Sequence, residues 1–171
     1  VYGLSPRMRF DLAINGMVLG LWRTKKIPVM RDGTQWRPFI HVMDTTKAFK
    51  TVIEAPPDKV NGEIFNTGSN EQNYQIHPLA KMVGEALPIS FEVEWYGSPD
   101  RRSYRVSFDK IRKMLGFKPQ YTPREGALEI YEALESGGVT DSIQTRTVEW
   151  YKYLLNTQAM MKEIIIRDTL L

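Results

Sequence analysis

Few residues in this chain are of a type and spacing that could do chemistry. Arg37 directly precedes an apolar run, Pro38 to Val42, that reads as a strand. A guanidinium at a strand mouth can fork onto a diphosphate or a carboxylate through two parallel hydrogen bonds, or serve as a surface ion-pair partner. Asn15 sits inside an otherwise apolar helical stretch, where an amide is a poor choice unless it bonds a ligand or the backbone. Asp100-Arg101-Arg102-Ser103-Tyr104 packs an acid, two bases and a phenol into five residues, a group able to clamp a phosphorylated ligand or to form a solvated loop. The two histidines, His41 and His77, lie far apart, and neither belongs to a helical metal pair. His41 reads first as a satisfied residue on a strand.

The familiar catalytic spacings are missing. No G-x-G-x-x-G follows a strand, no P-loop spacing occurs, and no G-x-S-x-G elbow is present. The absence of cysteine removes thiolate nucleophiles, thiolate metal sites and disulfide frameworks together, and suits a reducing compartment.

The elements that must hold these residues alternate helix and strand. Asp11 to about Lys25 carries a broad apolar stripe, Leu12, Ile14, Val18, Leu19, Leu21 and Trp22, and reads as a helix. Ile27–Met30 is a short strand, and Gly33 suits a turn that needs positive φ. Asp44 is placed to cap a helix that ends near Ala55, before Pro56-Pro57. Glu63 to Asn66 reads as a strand closed by Thr67-Gly68. Pro78 suits the first position of a helix carrying Leu79, Met82, Val83, Ala86 and Leu87. Phe91, Val93 and Trp95 alternate as in a strand. Helices are expected from Asp109, as cap, through Leu115, from Pro123 to Glu135, and from Thr145 to Leu155, with a further helical tail over 157–171.

The 171 residues suit a single unit, with 42% hydrophobic and 25% charged residues. A net charge of +3 is too small and too evenly spread for a nucleic-acid footprint. A basic nucleic-acid binder therefore rests only on clusters such as Lys110-Ile111-Arg112-Lys113. No run approaches a membrane span, and no signal-peptide pattern opens the chain. The expected location is cytoplasmic, with no nucleic-acid or membrane partner. Val1-Tyr2-Gly3 followed by Ser5-Pro6 reads as the end of a strand, so the chain is expected to begin mid-fold.

Taken in order, the residues form a pattern. It runs Val1-Tyr2-Gly3; Arg9-Phe10-Asp11-Leu12 with Asn15; Gln35-Trp36-Arg37-Pro38-Phe39-Ile40-His41-Val42-Met43-Asp44; and Ile64-Phe65-Asn66-Thr67-Gly68. It continues with Asp100, Arg102-Ser103-Tyr104, Phe108-Asp109-Lys110-Ile111, Leu115-Gly116-Phe117 and Pro119. This order resembles the C-terminal half of extended short-chain dehydrogenase/reductases, the NAD-dependent nucleotide-sugar epimerases and dehydratases, from Val1 to about Tyr153. The resemblance implies an α/β fold: the C-terminal part of an extended Rossmann-type enzyme, several helices with short strands, the main dinucleotide-binding half absent. It makes residues 1–171 a substrate-binding portion.

The family's Gly-rich turn and its Tyr-x-x-x-Lys pair both lie upstream of the position matching Val1, and this sequence contains neither. Whether the chain is itself an enzyme therefore stays open, and no residue is assigned as catalytic. The resemblance implies Asn15, Arg37, Asp100 and Arg102 as contacts to the nucleotide and diphosphate, and Asp44, His41 and Asn66 as architectural. It implies NAD as the parent enzyme's cofactor and a keto-sugar intermediate formed by hydride transfer. The implied partners are a nucleotide sugar, a separate Rossmann half and, in the complete protein, a second subunit. The alternative is a non-catalytic binding module of the same fold. A half cut through a fold would expose apolar surface, expected on the Asp11 helix.

Overall fold

The computed structural model describes residues 1–166 and 169–170. The N-terminal Val1–Gly3 segment runs parallel to the chain at His41 through one bridge, Tyr2 to His41. Helix α1 spans Ala13–Thr24 and stops where Lys25 turns left-handed at φ 58°. Strand β1, Lys26–Met30, follows at once and pairs in parallel with β4, Glu92–Tyr96, so that Ile27 faces Val93 and Val29 faces Trp95. Between them lie β2 (Trp36–Pro38), α2 (Val42–Glu54), the short α3 (Pro57–Val60), β3 (Asn73–Gln75) and α4 (Ile76–Glu85). Strand β2 pairs antiparallel with β3, with Arg37 opposite Tyr74. Helices α5 (Asp109–Leu115), α6 (Pro123–Glu135) and α7 (Thr147–Ile164) complete the described helices.

Helices α1, α4 and α6 pack on one another, and α1 and α4 pack on β1. Their shared core holds Ile14, Met17, Val18, Leu21, Ile27, Val29, Leu79, Val83 and Ile130, all nearly inaccessible to solvent. A second, smaller core gathers Ile40, Ala48, Phe108, Ile111 and Phe117 between α2 and α5. The predicted stripe of α4 is the one that packs: Leu79, Val83 and Leu87 are buried. Helix α6 begins on a capping box in which the Thr122 hydroxyl accepts from the Glu125 amide and the Glu125 carboxylate accepts from the Thr122 amide.

Several expected boundaries shift. The strand expected over Pro38 to Val42 ends at Pro38, whose missing N–H cannot extend the ladder. Arg37 therefore lies within β2 and not ahead of it. His41 is the N-cap of α2, its Nδ1 accepting from the Met43 amide at 3.2 Å. Asp44 is not the cap: it sits in the first turn, fully buried, and its two oxygens accept from the Gln120 and Tyr121 amides at 2.8 and 3.0 Å. Glu63–Asn66 forms no strand, and Ile64 is 83% exposed. Pro78 is the third residue of α4, and Asp109 is the first helical residue of α5 after the Phe108 cap. The last helix runs unbroken to Ile164, where a separate tail helix was expected, and Ile165–Ile166 then pairs with Thr169–Leu170. The rest of that expectation, residues 167, 168 and 171, lies outside the described residues.

The apolar stripe of α1 is covered over Ile14, Val18, Leu19 and Leu21, while Trp22 is 39% exposed. Uncovered apolar residues lie elsewhere, among them Met43, Phe49 and Ile53 of α2, which are 52%, 68% and 81% exposed.

The N-terminal segment is locked by steric fit. Gly3 has φ +110°, and a Cβ there would fall 2.2 Å from His41 Nε2. Gly3→Ala should therefore cost more than about 2 kcal/mol, from left-handed strain plus displacement of the buried imidazole. Urea denaturation of the variant checks it; an unchanged midpoint would contradict the packing.

Candidate functional site

A groove of about 790 Å³ runs along one face of α1. Ala13, Gly16 and Gly20 lie on that face at helical spacing. Pro28 and Met30 of β1, Glu94 and Tyr96 of β4, and Gln35 and Arg37 line it further, with Asp100 and Tyr104 at the same end as Arg37. Gly20 is required by close approach: a Cβ would fall 2.6 Å from the Pro28 ring.

Arg37 is held in place from several directions. Its Nη2 donates to Asp100 Oδ2 at 2.9 Å, and its Nη1 donates to the carbonyls of Trp36, at 2.7 Å, and Arg102. The guanidinium carbon lies 5.1 Å from the Tyr104 ring centroid. Asp100 takes a second fork from Arg102, whose Nε and Nη2 donate at 2.9 and 3.0 Å, and accepts from the Arg102 amide at 3.0 Å. Two guanidiniums thus share one carboxylate and leave a surplus positive charge at the groove end. Arg102 is 82% exposed, so its outer donors are open to a ligand. Hydrogen bonds from Arg102, and then the charges of Arg102 and Arg37, hold the Asp100 carboxyl down to about 2.

The Asp100 segment reaches Arg37 because it is laced to β2 and β3. Ser103 Oγ accepts from the Trp36 amide at 3.0 Å, the Tyr104 amide donates to Trp36 O, and the Arg105 guanidinium lies over the Trp36 ring. Asn73 exchanges two hydrogen bonds with the Val106 backbone, and the Phe108 amide donates to Asn70 Oδ1. The depressed Asp100 pKa fixes the sign of a pH effect. Its folded value lies below the ordinary 3.8, so its contribution is present above about pH 4 and is lost as pH falls through about 2. Fluorescence of Trp36, read in a protein whose other tryptophans are replaced by Phe, should stay constant down to about pH 3 and change below it. A transition centred near pH 4 would show that the Arg102 fork does not form.

The structure brings Arg37, Asp100 and Arg102 together and leaves Asn15 apart. The Asn15 amide is buried and spent on backbone: Oδ1 accepts from the Gly3 amide at 3.2 Å and Nδ2 donates to Arg9 O at 3.1 Å. His41 is buried against Tyr2 and Tyr121, with Nε2 2.6 Å from Glu129 Oε1, an oxygen that also accepts from the Leu4 amide. Asn66 donates to Ser107 O at 3.3 Å, at the end of the Asp100 segment.

One site residue escapes the sequence reading. Gln35 is 5% exposed and lines the groove, and its carboxamide oxygen is buried with no partner. The available signal is its place two residues before Arg37, which puts both side chains on one face of an extended segment. An unpaired buried acceptor in the groove wall suits a ligand that carries a hydrogen-bond donor.

A parallel strand pair flanked by helices is an α/β arrangement, and its groove ends on an arginine fork. The NAD dependent epimerase/dehydratase family matches residues 1–68. The Escherichia coli dTDP-glucose 4,6-dehydratase is 29% identical over 152 residues, 82% of this chain and 36% of that enzyme. The UDP-D-apiose/UDP-D-xylose synthase of Oryza sativa is 27% identical over 154 residues, 74% of this chain and 38% of that enzyme. The UDP-glucuronic acid 4-epimerase from Bacillus cereus, solved with UDP-glucuronic acid and NAD, superposes with a TM-score of 0.66 at 21% identity, covering 79% of this chain and 42% of that one. RMD from Pseudomonas aeruginosa, solved with NADPH, does so with a TM-score of 0.66 at 19% identity, covering 80% and 46%. The chain is thus similar, over its first 68 residues, to the NAD dependent epimerase/dehydratase family, and it shares the fold of solved members such as these. It spans little more than a third of the length of these curated relatives. Among the described residues, no helix is long and apolar enough to cross a membrane.

Proposed function

We propose that this chain is the nucleotide-sugar-binding portion of an NAD-dependent epimerase or dehydratase, with the α1 groove as its ligand site. The observation that carries this reading is the Arg37–Asp100–Arg102 cluster, anchored to backbone and stacked on Tyr104, at one end of a groove whose wall is mixed polar and apolar. A diphosphate needs fixed donors, and a guanidinium already locked by a carboxylate and two carbonyls loses little freedom when it accepts one. Pro28 and Met30 line the groove and give apolar surface on which a base would pack. Gln35 Oε1 is a free acceptor for a ligand hydroxyl or imide N–H. Asn15 acts indirectly, tying Val1–Gly3 to the start of α1.

Among the described residues, no site fits the dinucleotide cofactor. The described strand-to-helix turns carry no Gly-rich run, and α2 opens on His41. No step is therefore assigned through NAD. In the whole enzyme, the binding energy collected here would be spent on orienting the sugar, remote from the reacting carbon. The exposed face of α2 (Met43, Phe49 and Ile53), with Ile64, is the surface we assign to contact with a dinucleotide-binding half, in place of the α1 stripe. Calorimetric titration tests the reading. UDP-glucose or dTDP-glucose should bind once per chain, and uridine, without phosphate, should bind far more weakly. Equal binding of uridine and UDP-glucose would overturn it.

A further inference from the structure

Among the described residues, two buried side-chain oxygens lack a partner, Gln35 Oε1 and Gln72 Oε1, and of these residues Gln35 lines the groove. Such an acceptor carries a desolvation cost that nothing in the free protein offsets. The backbone around it is pinned. Gln35 O accepts from the Ile76 amide at 3.2 Å, and the next residue, Trp36, pairs with Gln75. The carboxamide turns about a soft final torsion, so its oxygen can be presented to the groove while the backbone stays in place.

The spacing of Gln35 from Arg37 selects the part of a ligand that it meets. Gln35 precedes Arg37 by two residues of extended chain, about 7 Å. A group held on the arginine cluster therefore puts its covalent neighbour at Gln35. In a nucleotide bound by its diphosphate that neighbour is the ribose, and the base lies one unit further on. The groove wall follows the same order along the chain: Pro28 and Met30 as apolar surface, then Gln35 as an acceptor, then Arg37 as a cation. Of the two ribose hydroxyls, the 2′ is the one beside the base and farther from the phosphates, and Gln35 stands on that side of Arg37. We propose that Gln35 Oε1 accepts from the 2′-hydroxyl of the ligand's ribose and selects ribonucleoside over 2′-deoxyribonucleoside diphosphate sugars. This rests on the reading of the groove as a nucleotide-sugar site. An oxygen that water does not reach gains most from a donor that enters with the ligand, and it gains nothing from an analogue that lacks the hydroxyl.

Calorimetric titration with UDP and 2′-deoxy-UDP tests it, because the two carry the same base and the same diphosphate. UDP should bind about 10-fold more tightly, the worth of one hydrogen bond. Gln35→Leu should bring UDP down to the level of 2′-deoxy-UDP and leave the deoxy nucleotide unchanged. This variant should melt no lower than wild type, because it replaces an unpaired buried oxygen with a methyl group. Arg37→Ala should weaken both nucleotides alike. Equal binding of the two by the wild-type protein would overturn the inference, as would a gap that survives Gln35→Leu. A Gln35→Leu protein that melts several degrees lower would assign the carboxamide to the fold and overturn it as well. So would a gap between UDP and CDP that Gln35→Leu closes, since that would place Oε1 on the base. Failure of both nucleotides to bind, or binding indifferent to Arg37→Ala, would instead remove the underlying reading of the groove.

Discussion

Replacing Arg37 with Ala should weaken binding of a nucleoside-diphosphate sugar by about 10- to 100-fold, the worth of one charge-assisted fork at a partly buried site. Arg37→Lys should recover only part of this, because an ammonium keeps the charge and loses the planar pair of donors. Arg37 also helps dock the Asp100 segment, so the loss could reflect disorder rather than a missing contact. Ser103→Ala separates the two effects. It removes the bond between Ser103 Oγ and the Trp36 amide and touches no cation. Calorimetry on the three variants should show Ser103→Ala near wild type. An equal loss in Ser103→Ala would assign the effect to the docking of the segment and remove Arg37 from the ligand site.

The largest stability effect should come from Asp44, which no ligand reading requires. Its carboxylate is fully buried and accepts from two backbone amides of the loop that leads into α6. Asp44→Ala removes the acceptor of both amides and empties a fully buried position, a cost of about 3 kcal/mol. Asp44→Asn keeps one acceptor and should cost about half as much. Urea denaturation should give that order, with the loop around Gln120 the first segment to lose hydrogen-exchange protection. An Asp44→Ala variant as stable as wild type would show that the loop is held by other contacts.

Helices were legible in the sequence wherever a stripe repeated. Pro123–Glu135 carries its own capping box and matches the expected range, and the α4 stripe packs as spaced. Strands were less legible because they are short and pair with distant segments. Trp36–Pro38 is set by Asn73–Gln75 and ends at a proline, while Phe39 and Ile40 turn into the two cores. Capping residues were misread for a physical reason. Asp44 has the right chemistry for a cap, but His41 Nδ1 reaches the Met43 amide first, and the carboxylate is drawn to amides 76 and 77 positions away.

The site was legible in part. Arg37 and the Asp100 segment could be singled out by residue type, and their meeting across 63 positions is visible only in the fold. Gln35 opens the run that resembles the family but carries no charge and no assigned role there; its meaning lies in an acceptor that the fold leaves unpaired. The apolar stripe of α1 could equally have faced a core or a partner. Burial by α4 and α6 decided that, and passed the role of exposed face to α2.

The most direct test of the central claim is a crystal structure of the chain with UDP-glucose bound. The diphosphate should lie about 2.7–3.2 Å from the guanidinium nitrogens of Arg37 or Arg102, with the base against Pro28 and Met30 and a ligand donor on Gln35 Oε1. A nucleotide bound outside the α1 groove, or lying in it with its phosphates turned away from both arginines, would contradict the account.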